Sequence, residues 1–395
     1  TWQVDGSYYE LEYDYDESGN VTSMTYPDGT VVPFSYDWAG RLEEIGGYVD
    51  SIVYNGNDAP TFVSYANGVS TTYDLDARNR IQSLQATNPI TVETVFDLAY
   101  TFTRSGNVSS VTDATNTVGA PIKCRYGYDA ASQLVQVDAL VPPATGTPEL
   151  FVRYAYDGVG NRISEFRTGW ANPMPYSYQP GNFLQFTTRG SSAYSWGLYG
   201  QLTGKTDGTT STVYNYDPRR LMSQVIVDGV AVESYEYDAL GRRIMSSDDT
   251  SRALTFYSGN DIVYEVRETE TLQGEPPVPV QTTTTTCYIV LGGKYLAKVS
   301  KENGGVPEKQ YLHTDVLGSV RAMTDATGQV IGRFDYEPFG LLTGSTGSAA
   351  DAERYTGKPH DATTGLYYFG ARYYDPEAGR FTTSDPVTAG EIMTQ

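Results

Sequence analysis

Large aromatic residues alternate with small or charged ones in short runs along this chain, and most runs end in the same polar punctuation. The clearest are Tyr154-Ala155-Tyr156-Asp157-Gly158-Val159-Gly160-Asn161-Arg162-Ile163 and Tyr235-Glu236-Tyr237-Asp238-Ala239-Leu240-Gly241-Arg242-Arg243-Ile244. Tyr-x-Tyr puts both rings on one face, the period of two that marks a β-strand. Asp-x-x-Gly then supplies a turn. Asp suits the first position of a type I turn, and Gly the left-handed position after it. An apolar residue soon after starts the returning strand. Each unit therefore predicts strand, turn, strand, with Gly160 and Gly241 at positive φ.

The phrase recurs at Tyr36-Asp37-Trp38-Ala39-Gly40-Arg41-Leu42, from Tyr126 to Leu134 and from Tyr214 to Leu221. Weaker copies are Tyr73-Asp74-Leu75-Asp76, with Asn79 where Gly is expected, Ser195 to Gly200, and Phe102 to Val108. Spacing varies, with 21 residues from Tyr216 to Tyr237 and 28 from Tyr128 to Tyr156. A supersecondary unit repeated in this way must bury its apolar face against its neighbours. The expected fold is all-β, an array of antiparallel hairpins spiralling into a hollow shell or barrel-like cage.

These units resemble the YD repeats of bacterial Rhs and wall-associated proteins, of the C component of insecticidal toxin complexes, and of teneurins. The C-terminal part resembles the family more densely. Tyr311-Leu312-His313-Thr314-Asp315-Val316-Leu317-Gly318-Ser319-Val320-Arg321 is similar to its HTDxLGSxR hairpin. Asp335-Tyr336-Glu337-Pro338-Phe339-Gly340 is similar to its YxPFG segment. Gly365 to Pro376, Gly379-Arg380-Phe381 and Asp385-Pro386 are similar to the end of its core-associated region. The resemblance implies a structural, non-enzymatic shell that encapsulates or presents another segment of a larger polypeptide. It also implies a secreted or cell-surface, bacterial setting. The implied partner is the polypeptide's own C-terminal effector or other cargo. A teneurin-like adhesion scaffold that binds cell-surface proteins or glycans is the alternative.

Composition adjusts this picture. The 34 tyrosines outweigh what a compact aliphatic core needs, which suits a curved sheet with a partly wet interior. A net charge of −21 disfavours nucleic acid and anionic membrane as partners. No apolar run is long enough to insert in a bilayer. Cys124 and Cys287 could pair, but two cysteines make no disulfide framework. The chain opens at Thr1 without a leader-like segment, as an excised piece of a longer protein would.

Residues 1–265 are expected to form the hairpin array, 266–286 a Pro/Thr-rich insertion loop, and 287–395 a block that closes or plugs the shell. Within 266–286 the threonines could open the strand that runs on through Cys287. Val141 to Pro148 and Ala171 to Gly181 are expected as smaller loops, with short helical turns near Ala349 to Arg354.

Candidate chemistry is sparse. Asp14 to Asn20 mimics the start of a calcium loop but has Thr25 where the closing Glu belongs, so it is expected to be a hairpin turn. His313 and His360 lack metal-ligand spacing, and no metal or cofactor is expected. The resemblance assigns Asp385 as the first catalytic residue of an aspartyl autoprotease. That chemistry needs a second carboxylate sharing a proton, which the resemblance puts beyond Gln395. Asp375-Pro376 is expected to be a turn instead. The chain as given is therefore not expected to be an enzyme.

Overall fold

The computed structural model describes all residues except 1, 5, 116–121, 141–149, 180–181, 274–276, 348–354 and 386–395. Among the described residues, thirty strands run from Glu12–Tyr15 to Leu342–Gly347, and each pairs antiparallel with the next in sequence. A two-stranded hairpin, Trp2–Val4 with Ser7–Tyr9, precedes them. A small three-stranded sheet of Tyr367–Tyr368, Tyr373–Asp375 and Arg380–Phe381 comes after them. Among the described residues the regular secondary structure is otherwise a single 3-10 turn at Tyr355–Gly357. No described helix is long and apolar enough to cross a membrane.

The repeat phrase explains the ladder atom by atom. At Asp157 the carboxylate Oδ1 accepts the N–H groups of Val159 at 3.0 Å and Asn161 at 2.8 Å. The Gly160 N–H closes onto the Asp157 carbonyl, and Gly160 sits at φ 88°. Asp238 repeats the pattern with Leu240 and Arg242, and Gly241 sits at φ 81°. The ladder shifts by one residue just before each turn, between Ala155 and Tyr156 and between Glu236 and Tyr237. A type I turn with a bulge of this kind matches the twist of the flanking strands. The expected calcium-loop look-alike is the same turn, with Asp16 accepting from Ser18 and Asn20.

The second tyrosine of each phrase has its own task. Tyr156 donates its hydroxyl to the Leu134 carbonyl at 2.9 Å, Tyr216 to Leu202 at 2.8 Å and Tyr237 to Met222 at 2.6 Å. Tyr36, Tyr54 and Tyr128 do the same to Val21, Leu42 and Val108. Each acceptor is the first residue of the strand that returns from the previous turn. The ring thus straps one hairpin to the one before it, worth about 1 kcal/mol per bond. The first tyrosine points into the core: Tyr154, Tyr214 and Tyr235 are buried. Eighteen tyrosines are buried among the described residues. The rings therefore mostly pack in apolar clusters, whereas composition predicts that they line a wet interior.

The ribbon curls back on itself, and side chains join its first strands to its last. Among the described residues no ladder pairs Glu12–Tyr15 with Leu342–Gly347. The Tyr26 hydroxyl reaches the Tyr288 carbonyl at 2.8 Å, and Lys301 pairs with Asp28 at 2.6 Å. Asn67 donates to Thr324 and to the Asp325 carbonyl. His313, fully buried, meets the Tyr65 ring edge-on at 5.1 Å and shares a hydrogen bond with Thr324. Between these contacts lies one apolar core that includes Val32, Ile45, Leu84, Leu98, Ile289 and Ala322.

Two loop expectations are corrected. The described parts of 266–286 belong to the longest hairpin among the described residues, Asp261–Gln273 with Val278–Leu291, in register from Tyr264↔Cys287 to Gln273↔Val278. Alternating Thr and Glu on one strand, opposite a run of β-branched Thr on the other, outweigh the prolines. Pro277 and Pro279 sit near the tip, where little of the ladder is lost. Ala171 to Gly181 contains the strand Met174–Gln179. Its Tyr176 and Tyr178 keep the period of two, and Pro175 interrupts only a short pairing with the preceding strand. The expected loop at 141–148 and the expected helical turns at 349–354 lie outside the described residues. Both cysteines are free thiols, Cys287 buried and Cys124 half-buried.

Candidate functional site

Residues 355–385 pack against the sheet, touching it at Asn161 and Arg162 at one end and at the strand Arg243–Ser247 at the other. Leu366, Tyr368, Tyr373 and Ala378 join an apolar cluster with Phe186, Leu202, Met222 and Val225. Hydrogen bonds fix the register. The Leu202 N–H donates to the Thr382 carbonyl at 2.7 Å, and the Arg243 N–H to the Tyr368 hydroxyl at 2.6 Å. Three tyrosines of the segment reach three consecutive carbonyls of the Pro338-Phe339-Gly340 turn: Tyr355 to Pro338, Tyr374 to Phe339 and Tyr367 to Gly340.

Cations on alternate strands grip the same segment. Arg162 and Arg243 occupy equivalent places, each the first residue of the strand after a turn. The Arg162 guanidinium lies 4.5 Å from the Tyr154 ring and 4.2 Å from the Phe339 ring, and beside Gly379 of the segment. That of Arg243 lies 4.6 Å from the Tyr368 ring and donates to the Tyr373 hydroxyl at 3.3 Å. Lys205 pairs with Glu377 at 3.0 Å, with Arg189 3.8 Å from the same carboxylate. Burial alone would push Glu377 up, but these two cations hold it below the usual carboxylate range. Each strand supplies its cation on the face turned toward the segment, as the two-residue period requires.

Carboxylates of this region differ sharply. Asp375 is buried, and its Oδ1 accepts the Glu377 and Ala378 N–H groups at 2.9 and 3.1 Å. Burial pushes its carboxyl up. It is the turn residue expected from its sequence. Glu233 is pushed up to about 8 by burial and by the charges of Asp361 and Asp248, against the pull of Arg243 and Arg267. Tyr235 donates to Asp361. Asp385 is 61% exposed and pairs with Arg372 at 3.1 Å.

Asp385 stands at the edge of a cleft of about 530 Å³ beside the hairpin tip at Gly197 to Gly200. Trp196, Tyr199, Arg220, Arg380 and Phe381 line it. Asp385 is the one acid among the lining residues, and Asp375 is not among them. Proton sharing between two carboxylates is thus not available from the described residues of this cleft. Of the residues that matter here, the sequence marks Asp385 but not Arg162, Arg189, Lys205, Arg243 or Arg372. A signal for two of them lies in Gly-Asn-Arg and Gly-Arg-Arg, where the third residue opens the returning strand.

His313 and His360 have structural surroundings. His313 is held at about 3 by burial. His360 packs against Tyr367 at 4.8 Å.

Comparisons with known proteins agree with this architecture. The family model described as Teneurin YD-shell matches residues 31–394, and that of the RHS repeat matches residues 4–46. Double-stranded DNA deaminase toxin A of Burkholderia cenocepacia is 29% identical over 66% of the chain and 20% of its own length. Toxin subunit YenC1 of Yersinia entomophaga is 27% identical over 95% of the chain and 44% of its own length. The chain thus spans less than half of either relative. The crystal structure of TcdB2-TccC3-TEV superposes with a TM-score of 0.77 at 21% identity, over 96% of this chain and 20% of that one. With its continuous hairpin ribbon and a family match over more than nine-tenths of its length, the chain belongs to the teneurin YD-shell family.

Proposed function

We propose that this chain is a section of shell wall that encapsulates or presents another segment of a longer polypeptide, and that it does no chemistry of its own. The observation that carries this reading is the docking of residues 355–382. The wall holds a length of its own chain by apolar burial, tyrosine hydroxyls and a row of cations that face it. A surface built to grip chain internally is suited to guide a downstream segment into or along the shell. The effector or other cargo downstream is the proposed partner, and a secreted or cell-surface location fits the toxin relatives. The net charge of −21 favours neither nucleic acid nor membrane as a partner.

The test is protease protection in the full natural polypeptide. The segment downstream of Gln395 should resist a protease while the wall is folded, and become sensitive in a denaturant that opens the wall. Immediate cleavage of that segment in the native protein would refute enclosure.

A second reading, adhesion, is favoured by exposed apolar residues on hairpin tips: Trp38 is 95% exposed, Leu198 98% and Leu240 79%. Binding of the purified chain to cell-surface proteins or glycans, lost on changing these tips to serine, would support it. Only in a longer chain is Asp385 proposed as one half of a self-cleaving carboxylate pair, the other half lying beyond Gln395. Arg372 keeps it positioned at the mouth of the cleft.

A further inference from the structure

We propose that the cleft beside Gly197 to Gly200 binds a carboxylate-bearing ligand, and that Arg220 is the residue that receives it. Three observations converge there. Arg220 occupies the left-handed position of its turn, at φ 69°. Equivalent turns hold glycine at Gly40, Gly160, Gly200 and Gly241, or a short polar residue at Asp58, Asn79 and Ser132. A long side chain at such φ is strained, and strain of this sort collects at functional sites.

The strained backbone delivers a guanidinium that is stacked on a ring rather than paired with an acid. Its carbon lies 4.0 Å from the centre of the Tyr199 ring. Among the described residues no carboxylate pairs with it. Tyr199 is itself 62% exposed, so the stacked pair faces the open cleft.

The cleft also displays the chemistry proposed for it. Three guanidinium groups, Arg220, Arg372 and Arg380, line it against a single acid, Asp385. Arg372 already holds that carboxylate at 3.1 Å while lying 3.8 Å from the Phe381 ring. Guanidinium groups favour planar carboxylates through paired hydrogen bonds, and stacking on a ring pre-orients them. A volume of about 530 Å³ falls in the range of small-ligand sites. In a chain of charge −21, a local excess of cations opposed to one acid selects for an anion. The carboxylate could come from an acidic side chain of a polypeptide or from a free dicarboxylic acid.

Calorimetric titration of the intact chain tests this with two probes, a capped tetra-aspartate peptide and free glutarate, at low and moderate salt. The parent should bind at least one of them, more weakly as salt rises. Binding of the peptide alone places the carboxylate on a polypeptide; binding of glutarate alone makes it a small molecule. The decisive variant is Arg220→Gly. It relieves the strained φ, so its thermal midpoint should equal or exceed the parent's, while affinity falls about tenfold or more, as expected for losing a charge-assisted contact. If the parent binds neither probe, or Arg220→Gly binds as well as the parent, the proposal is wrong. The outcome is separate from enclosure, since the wall can hold its segment whether or not this cleft takes a ligand.

Discussion

Tyr374 donates its hydroxyl to the backbone carbonyl of Phe339 at 2.9 Å. This single bond ties the end of the chain to a hairpin turn 35 residues earlier. Tyr355 and Tyr367 bond the carbonyls on either side. The Pro-Phe-Gly turn is thereby a socket whose backbone is read by three rings. Buried carbonyls left without these donors would lose free energy comparable to a hydrogen bond each.

Tyr374→Phe is expected to lower stability by about 1 kcal/mol, the net worth of a neutral hydrogen bond, with the ring packing retained. Urea titration of parent and variant gives the difference. No change would mean that the socket is held by ring packing alone.

Turn glycines set a second expectation. A Cβ at Gly241 would meet only Leu221, at 3.7 Å, so space is available and the cost is conformational. Gly241→Val should lose about 1–2 kcal/mol through its positive φ. Ser132 holds the corresponding place at φ 62°, so Ser132→Gly should be neutral or stabilising. Denaturation midpoints moving in these opposite directions would verify the turn assignment; equal midpoints would contradict it.

Titration supplies a third. His313 is held at about 3 in the folded wall by burial, against about 6.5 when unfolded. Below pH 6.5 the unfolded chain binds the extra proton, so stability falls by roughly 1.4 kcal/mol per pH unit on the way down to pH 3. Glu233 acts in the opposite direction. Its folded value is raised to about 8, so the folded state keeps a proton that the unfolded chain sheds above pH 4.5, and stability declines as pH rises from there through 8. His313→Gln should flatten the acid side of the stability profile, and Glu233→Gln the alkaline side. A profile unchanged in both variants would show that other groups dominate.

The fold is legible in the sequence because hairpin chemistry is local. Asp157, Gly160 and the Tyr154/Tyr156 alternation lie within seven residues, and each fixes its own turn or face. What stays hidden depends on distant partners. The destination of the Tyr156 hydroxyl is 22 residues away, and that of Arg243 on Tyr373 is 130. Nothing local marks either. Residues 266–286 look like a loop because proline is a strong local breaker, whereas the strands are set by pairing of Tyr264 to Gln273 with Val278 to Cys287 across the hairpin. Asp385 is visible through resemblance. Its partner Arg372 is not, since an ion pair of this kind has no spacing signature.

Asp385 leads to a fourth prediction. The present chain should stay intact on incubation, because the described cleft holds one acid and a lone carboxylate cannot serve as acid and base together. A natural chain extended to the next Asp-Pro should cleave near it, and Asp385→Asn should abolish this. Intact mass spectrometry reads both. Cleavage surviving in Asp385→Asn would leave Asp385 as only a partner of Arg372.

The central claim is that this ribbon is a wall which holds chain on its inner side. The most direct measurement is a cryo-electron microscopy map of the full natural polypeptide. The account predicts that the hairpin ribbon of residues 12–347 continues into a closed wall, with residues 355–382 seated against Arg162 and Arg243 and density for the downstream segment inside. A map in which the ribbon stays open and the downstream segment lies outside it would contradict the account.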